Sequence, residues 1–434
     1  MNDRIKLKNP ARRRFGATAT KAALALGTTS LLGISTSAFA QAGRKIKIGY
    51  VSPQTGQLAG FGEVDTFVLS RIASLTKDGI TVGGKKHPVE IIMKDSQSSP
   101  SRAAEMASDL ILRDRVDLMV VAATPETTNP VSDQCELNEI PCISTVCPWQ
   151  AWYFTRGGTP TQGFDWTYHF YFGLEDVIAV FTNMWKEVPT NKVVGLLFSN
   201  DGDGNAWGDP QNGFPPALKK MGYKIVDPGR YQNMQADFSS YIAAFKAANV
   251  EIVAGVPTPP DFKTFWTQAK QQGFNPKMVS VGKALAFPTA VESLGESGQG
   301  LTQESWWTPS RPFKSSLTGQ SAAEYAKEYE QATGKQWSQP LGFAHALFEA
   351  ALDALKRTKD IDSKESIRDA IASTKLATIV GPLSWEHGPV KNVAKTPLVG
   401  AQWVKGKQHP YDLIIVNNET FPAIPVEAAV QPLA

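Results

Sequence analysis

The sequence predicts an α/β protein made of two doubly wound lobes. Strand-like and helix-like stretches alternate along most of the chain, the pattern of a parallel sheet with helices on its faces. After an irregular aromatic passage the alternation restarts, giving a second half of the same kind. Length agrees: the 394 residues that follow a 40-residue leader are more than one ordinary core holds.

The first element lies in Lys45–Gly62, KIKIGYVSPQTGQLAGFG. Ile46, Ile48, Tyr50 and Val51 favour a buried strand, Pro53 and Gly56 end it, and Gly60 and Gly62 flank a single ring, Phe61, where a helix should begin. Ligands settle at the carboxyl ends of strands in such sheets, so this loop is either a binding loop or an ordinary strand-to-helix turn. The first half continues with a strand over 89–94, a helix over 101–113, a strand over 116–122, a helix over 129–137 and a strand over 142–146. The second half reads helix 174–186, strand 192–198, helix 206–221, strand 224–226, helix 238–247, strand 251–256, helix 261–271 and strand 278–281. Beyond Gly300 follow a strand containing tryptophan, helices over 322–332, 342–357 and 364–372, and late strands over 399–404 and 413–416.

The leader carries a different signal. Arg12, Arg13, Arg14 and Phe15 form an R-R-x-F pattern, residues 22–34 are weakly apolar, and Ala38-Phe39-Ala40 fits an A-x-A cleavage site. This predicts a cleaved export signal over residues 1–40 of the twin-arginine kind, although Ala11 stands where Ser or Thr is usual. The apolar run is too short and too polar to span a membrane. The leader holds seven of the 44 basic and one of the 41 acidic residues, so the remainder has 37 against 40, a net charge of −3. No basic stripe is left to attract nucleic acid or an anionic membrane, and no second apolar span follows, so a soluble periplasmic product is expected.

Three cysteines suit an oxidising compartment without forming a disulfide scaffold. Cys135 and Cys142 flank a short turn, where a disulfide and a pair of free buried thiols are both sterically possible; Cys147 is left over.

Catalytic and metal motifs fail on spacing. Gly79–Lys86 matches G-x-x-x-x-G-K, but Lys86 replaces the magnesium-holding Ser or Thr and a strand follows, so it reads as a hairpin turn. Gly295–Gly298 lacks the spacing of a nucleophile elbow. His87, His169, His345, His387 and His409 are scattered, with no H-x-x-x-H pair. The loop Asp201, Asp203, Asn205, Asp209 lacks the sixth-position Gly and twelfth-position acid of a calcium loop and reads as helix capping. No catalytic residue, metal ligand or cofactor is therefore assigned. What remains are strand-end loops with binding groups: Thr124, Glu126 and Thr127 at a helix start suited to an anionic group, Thr145, Val146 and Trp149, then Trp207, Thr258 and Lys283. For each, turn and capping chemistry is the competing role. The cleft between the lobes is the natural ligand site.

Taken in order, these features resemble the periplasmic solute-binding proteins of the branched-chain amino acid family, receptors of ABC importers. The resemblance covers nearly the whole chain after the leader. It rests on KIKIGYVSPQTGQLAGFG, VDLMVVAATPETTNPVSDQCELNEIPCIST, NKVVGLLFSNDGDGNAWG, GFAHALFEAALDALKR and TIVGPLSWEHGPV. It implies a clamshell with a three-crossover hinge, one lobe from 43–168 plus 303–375 and the other from 169–302 plus 376–434. It further implies a monomeric receptor that closes on a small solute and docks on a membrane permease. By position, Phe61 matches the family's ring over the ligand, Thr124–Thr128 its carboxylate cradle, Val146–Trp149 a head-group loop and Trp207 a second-lobe aromatic. Lys283 departs from the pattern: amino-acid binders of the family carry an acid there to hold the ligand ammonium. A lysine inverts that requirement, so a carboxylate ligand is expected, and the surplus of Trp149, Trp152, Trp207, Trp306 and Trp307 suggests an aromatic one unless those rings are packing. Alternatively Lys283 pairs across the cleft with Glu126 or Asp261. Other readings of the same clamshell are a binder of amino acids or amides, a sensor module for a membrane receptor, and a periplasmic enzyme.

Overall fold

Burial on both faces sets the two sheets of the fold. The computed structural model describes residues 43–433, so the export signal expected over 1–40 lies outside the described residues. Ile46–Ser52 pairs in parallel with Val89–Asp95 on one side and Leu118–Ala122 on the other. Cys142–Thr145, Thr167–Phe170 and the two-residue strand Val393–Ala394 extend this sheet to six parallel strands. A parallel sheet covered on both faces needs continuous apolar runs rather than alternation, and LMVVA at Leu118–Ala122 is such a run, buried throughout. The strand order reverses beside Ile46–Ser52, which leaves a crevice at the carboxyl ends of the strands.

The second sheet runs through Val193–Ser199, Ile252–Gly255, Met278–Val281 and Thr302–Ser305 in parallel, then adds Val399–Lys405 and Tyr411–Asn417 antiparallel. The α/β, two-lobe expectation is therefore met. Two helices differ from the sequence pattern. The helix expected over 206–221 is two short ones, Gly202–Trp207 and Phe214–Lys220, because Pro210 and Gly213 interrupt it and Asp201 caps a new start by accepting the Gly204 N–H at 2.8 Å. The helix expected from Asn129 begins at Pro125, where a missing N–H costs nothing at the first turn, and Pro130 inside it masks the periodicity. Ile80–Val82 and Lys85–His87 form the expected hairpin.

The chain passes between the sheets three times, after Phe170, after Ser305 and after Ala394. The last passage is later than the expected boundary at 375/376. Val393–Ala394 pairs with Thr167–Phe170, and the hairpin Lys375–Thr378/Gly381–Ser384 packs on the first-lobe helix Pro340–Arg357. Residues 303–305 belong to the second sheet, contrary to the expected start of the returning segment at 303. Buried Arg311 ties two passages together, donating to the carbonyls of Ser305 (2.6 Å) and Pro397 (3.1 Å). The disulfide left open for Cys135 and Cys142 is not formed. Both are free, buried thiols in one apolar cluster; burial pushes the Cys135 thiol up, and Cys142 is its hydrogen-bonding neighbour.

The first binding loop hangs from a buried carboxylate. Asp65 accepts from Tyr50 Oη at 2.9 Å, from Gln54 Nε2 at 2.7 Å and from Ser52, so strand, loop and following helix meet at one side chain just beyond Phe61. Burial pushes Asp65 up to about 7 despite these bonds. Tyr50→Phe leaves a buried acceptor short of one donor and is expected to lower stability by about 1–3 kcal/mol, measured by urea unfolding. No measurable change would remove Asp65 from this anchoring role.

Candidate functional site

The carboxyl ends of strands from both sheets converge on one cavity of about 30 Å³, room for two or three waters. Phe61, Thr124, Val146 and Pro148 line it from the first lobe, and Tyr171, Phe172 and Trp306 from the passages between lobes. Asp203, Trp207, Val256, Lys283 and Glu304 close it from the second. The cleft is shut: Phe61 meets Phe287 of the second lobe edge to face, with ring centroids 5.0 Å apart.

Backbone strain aims two of these side chains. Val146 follows the strand Cys142–Thr145 at φ 70°, a conformation that costs a β-branched residue about 1–3 kcal/mol. Lys283 sits at φ 57°, ψ −63°, with the Ala284 N–H donating to the Gly282 carbonyl at 2.5 Å. This is a γ-turn of the rare hand. It turns the lysine inward, and Gly282 leaves room beside it, since a Cβ there would meet Glu304 Oε1 at 2.7 Å and the Trp207 ring at 2.9 Å.

Charge is concentrated around that lysine. Its Nζ lies 2.8 Å from Asp203, 3.5 Å from Asp201 and 3.7 Å from Glu126, and Glu126 belongs to the opposite lobe. Glu126 also accepts the Gly202 N–H at 2.9 Å, fastening the start of the first lobe's helix Pro125–Leu137 to that of Gly202–Trp207. Burial works against the lysine's charge, but Asp201, Asp203 and Glu126 together hold its pKa well above the usual value. The surplus of negative charge falls on the acids: burial, with Glu126 and Asp201 nearby, pushes Asp203 up to about 7, and burial beside Asp203 pushes Glu304 up to about 8.

The sequence pattern described as periplasmic binding protein fits residues 45–408. The chain belongs to this family. A relative of this binding protein, the Leu/Ile/Val-binding protein homolog 4 of Brucella melitensis, is 23% identical over 362 residues, 82% of this chain and 83% of the relative. A leucine-binding protein from Thermotoga maritima MSB8 superposes with a TM-score of 0.70 at 20% identity, over 86% of this chain and 99% of its own. A solute-binding protein of an ABC transporter from Rhodopseudomonas palustris BisB5, solved with 3,4-dihydroxybenzoic acid, gives 0.69 at 18% identity, over 87% and 99%.

Of the side chains expected at the binding protein's site, Phe61, Thr124, Val146, Trp207 and Lys283 line the cavity. Glu126 stands just behind them as the cross-lobe partner of Lys283, and Thr127 is buried beside it with its hydroxyl unpartnered. Four lie off the cavity lining. Thr145 donates to the Phe170 carbonyl at 2.5 Å, and Thr258 donates to Asp261 at 2.7 Å as a helix-start residue. Trp149 turns its Nε1–H to Glu175 and packs against Tyr153 and Phe154. Trp307 packs on Trp337, and Trp306 takes the cavity position instead. Three carboxylates already share the charge of Lys283; Glu126 is one, and Asp261 is occupied by Thr258 and the Met234 N–H. Asp203 and Glu304 also line the cavity without having been expected there. Asp203 lay in a loop legible only as a helix cap, and Glu304 gives no sequence signal inside the run TQES.

Lys283→Met removes the cation and strands buried Asp203 with the part-buried Asp201 and Glu126, with an expected loss of about 3–5 kcal/mol at pH 8. Acids raised in the folded state contribute stability below their unfolded pKa and lose it as pH rises through the folded value. The deficit against wild type should therefore shrink at pH 5, as read by denaturant unfolding at both pH values. An equal deficit at both would refute the charge account.

Proposed function

We propose that this binding protein is the extracytoplasmic receptor of an ABC importer, holding a small organic solute between its lobes by hinge closure. In this reading residues 1–40 are the export signal, the periplasm is the working compartment, and the receptor acts as a monomer that docks on a separate membrane permease. One observation carries the reading: the cavity gathers polar atoms from both lobes that have no hydrogen-bond partner among the described residues. Thr124 Oγ1 comes from the first lobe, and Trp207 Nε1, Asp203 Oδ1 and Glu304 Oε2 from the second. A buried polar group left unpaired costs about 1–3 kcal/mol, so such a set is suited to a solute that satisfies it.

Named relatives and similar structures support a small organic solute as the ligand. Relatives are named for Leu, Ile and Val, and similar structures were solved with isoleucine and with 3,4-dihydroxybenzoic acid. No helix among the described residues is long and apolar enough to cross a membrane, which fits a receptor delivered to its permease. Three passages between lobes supply the hinge.

Native mass spectrometry of the purified protein should detect a non-covalent solute of small mass, and Phe61→Ala, which removes one ring of the closing contact, should weaken its retention about tenfold. A protein that carries no solute and takes up none from a panel of amino acids, amides and carboxylates would count against the proposal.

A further inference from the structure

The cavity's charge and its aromatic lining, taken together, restrict what it can hold. Lys283 is the one cation among the residues that line it, and its charge is shared by three carboxylates within 3.7 Å. Glu304 is a fourth acid, facing the same space with no cation of its own. Asp203 and Glu304 are each only 3% exposed, and each presents a carboxylate oxygen with no hydrogen-bond partner among the described residues. Around them stand the rings of Phe61, Tyr171, Trp207 and Trp306. Unpaired carboxylate oxygens enclosed by π-faces repel an anion and attract a cation, because the ring quadrupole and the carboxylates act in the same direction.

Resting on the solute-binding reading above, we infer that the solute selected by this cleft is a small organic cation. Its charged nitrogen, an ammonium or amidinium, lies between the rings and is held by Glu304 and Asp203. Once Asp203 and Glu304 are ionised, a carboxylate ligand would meet four acids against one shared lysine.

Protonation agrees with this assignment. The groups facing Glu304 and Asp203 are Asp201 and Glu126, Lys283, the Tyr171 hydroxyl and the Cys147 thiol, with Arg311 behind Tyr171. Burial and the mutual repulsion of the acids hold Asp203 up to about 7 and Glu304 up to about 8. Near neutrality the empty site therefore keeps protons that an arriving cation displaces, and cation affinity rises with pH.

The test is titration of the wild-type protein with acetamidinium, tetramethylammonium, L-leucine and benzoate, followed by calorimetry and by the fluorescence of Trp207 and Trp306. At least one of the two cations is expected to bind more tightly than benzoate or leucine, with affinity rising about tenfold or more from pH 6 to pH 8. Glu304→Gln should weaken that binding at least tenfold and flatten the pH dependence. Tighter binding of benzoate or leucine, a pH-independent cation affinity, or no cation binding at 10 mM (about 10 mM being weak for any dedicated receptor) overturns the inference. The wild-type panel and pH series decide the matter even if Glu304→Gln fails to fold. Benzoate or leucine binding in place of the cations would leave solute binding standing, whereas a protein that binds none of the four and carries no solute would count against both readings.

Discussion

An ammonium group between three carboxylates, Lys283 with Asp201, Asp203 and Glu126, joins the two lobes across the cleft. The lysine comes from the second lobe and Glu126 from the first, so this ion cluster belongs to the shut state of the cleft. Buried ions are costly unless paired and hydrogen-bonded, and here one of the three partners comes from the opposite lobe. The same cluster leaves an excess of acid on the cavity side, which makes closure and ligand choice two consequences of one charge arrangement.

The scaffold spends strain to deliver these groups. Val146 and Lys283 both follow parallel strands and both adopt positive φ, turning their side chains into the crevice instead of along the helix that follows. Arg311 does the complementary work at the hinge, tying passages near Ser305 and Pro397 through backbone carbonyls, with no carboxylate partner among the described residues. Burial lowers its pKa to about 9, and its bonds to carbonyls are what it has in place of a counter-ion. The hinge is thus held by directional hydrogen bonds, the cleft by charge.

Much of the fold was legible in the sequence because apolar runs and helical periodicity record burial directly. Strands such as Met278–Val281 and helices such as Leu174–Lys186 have the bounds their patterns suggest. The third passage between lobes was not legible, because a two-residue strand, Val393–Ala394, decides it by long-range pairing with Thr167–Phe170. Loop position places Phe61, Thr124, Val146, Trp207 and Lys283 around the cavity, since each follows a strand that points into the cleft. Polar residues at equivalent positions, Thr145 and Thr258, satisfy local acceptors instead, and no local signal separates the two uses. Lys283 was found by position, but its partners Asp201 and Asp203 lie about 80 residues away in sequence and meet it only through the fold.

The most direct measurement of the account is a crystal structure of the protein with its own co-purified solute. The expected result is electron density between Phe61, Trp207 and Trp306 with a nitrogen donor within about 3 Å of Glu304 or Asp203, and Lys283 still paired with its three acids. A solute bound elsewhere, or an anionic group on Lys283 with the acids turned away, would contradict it.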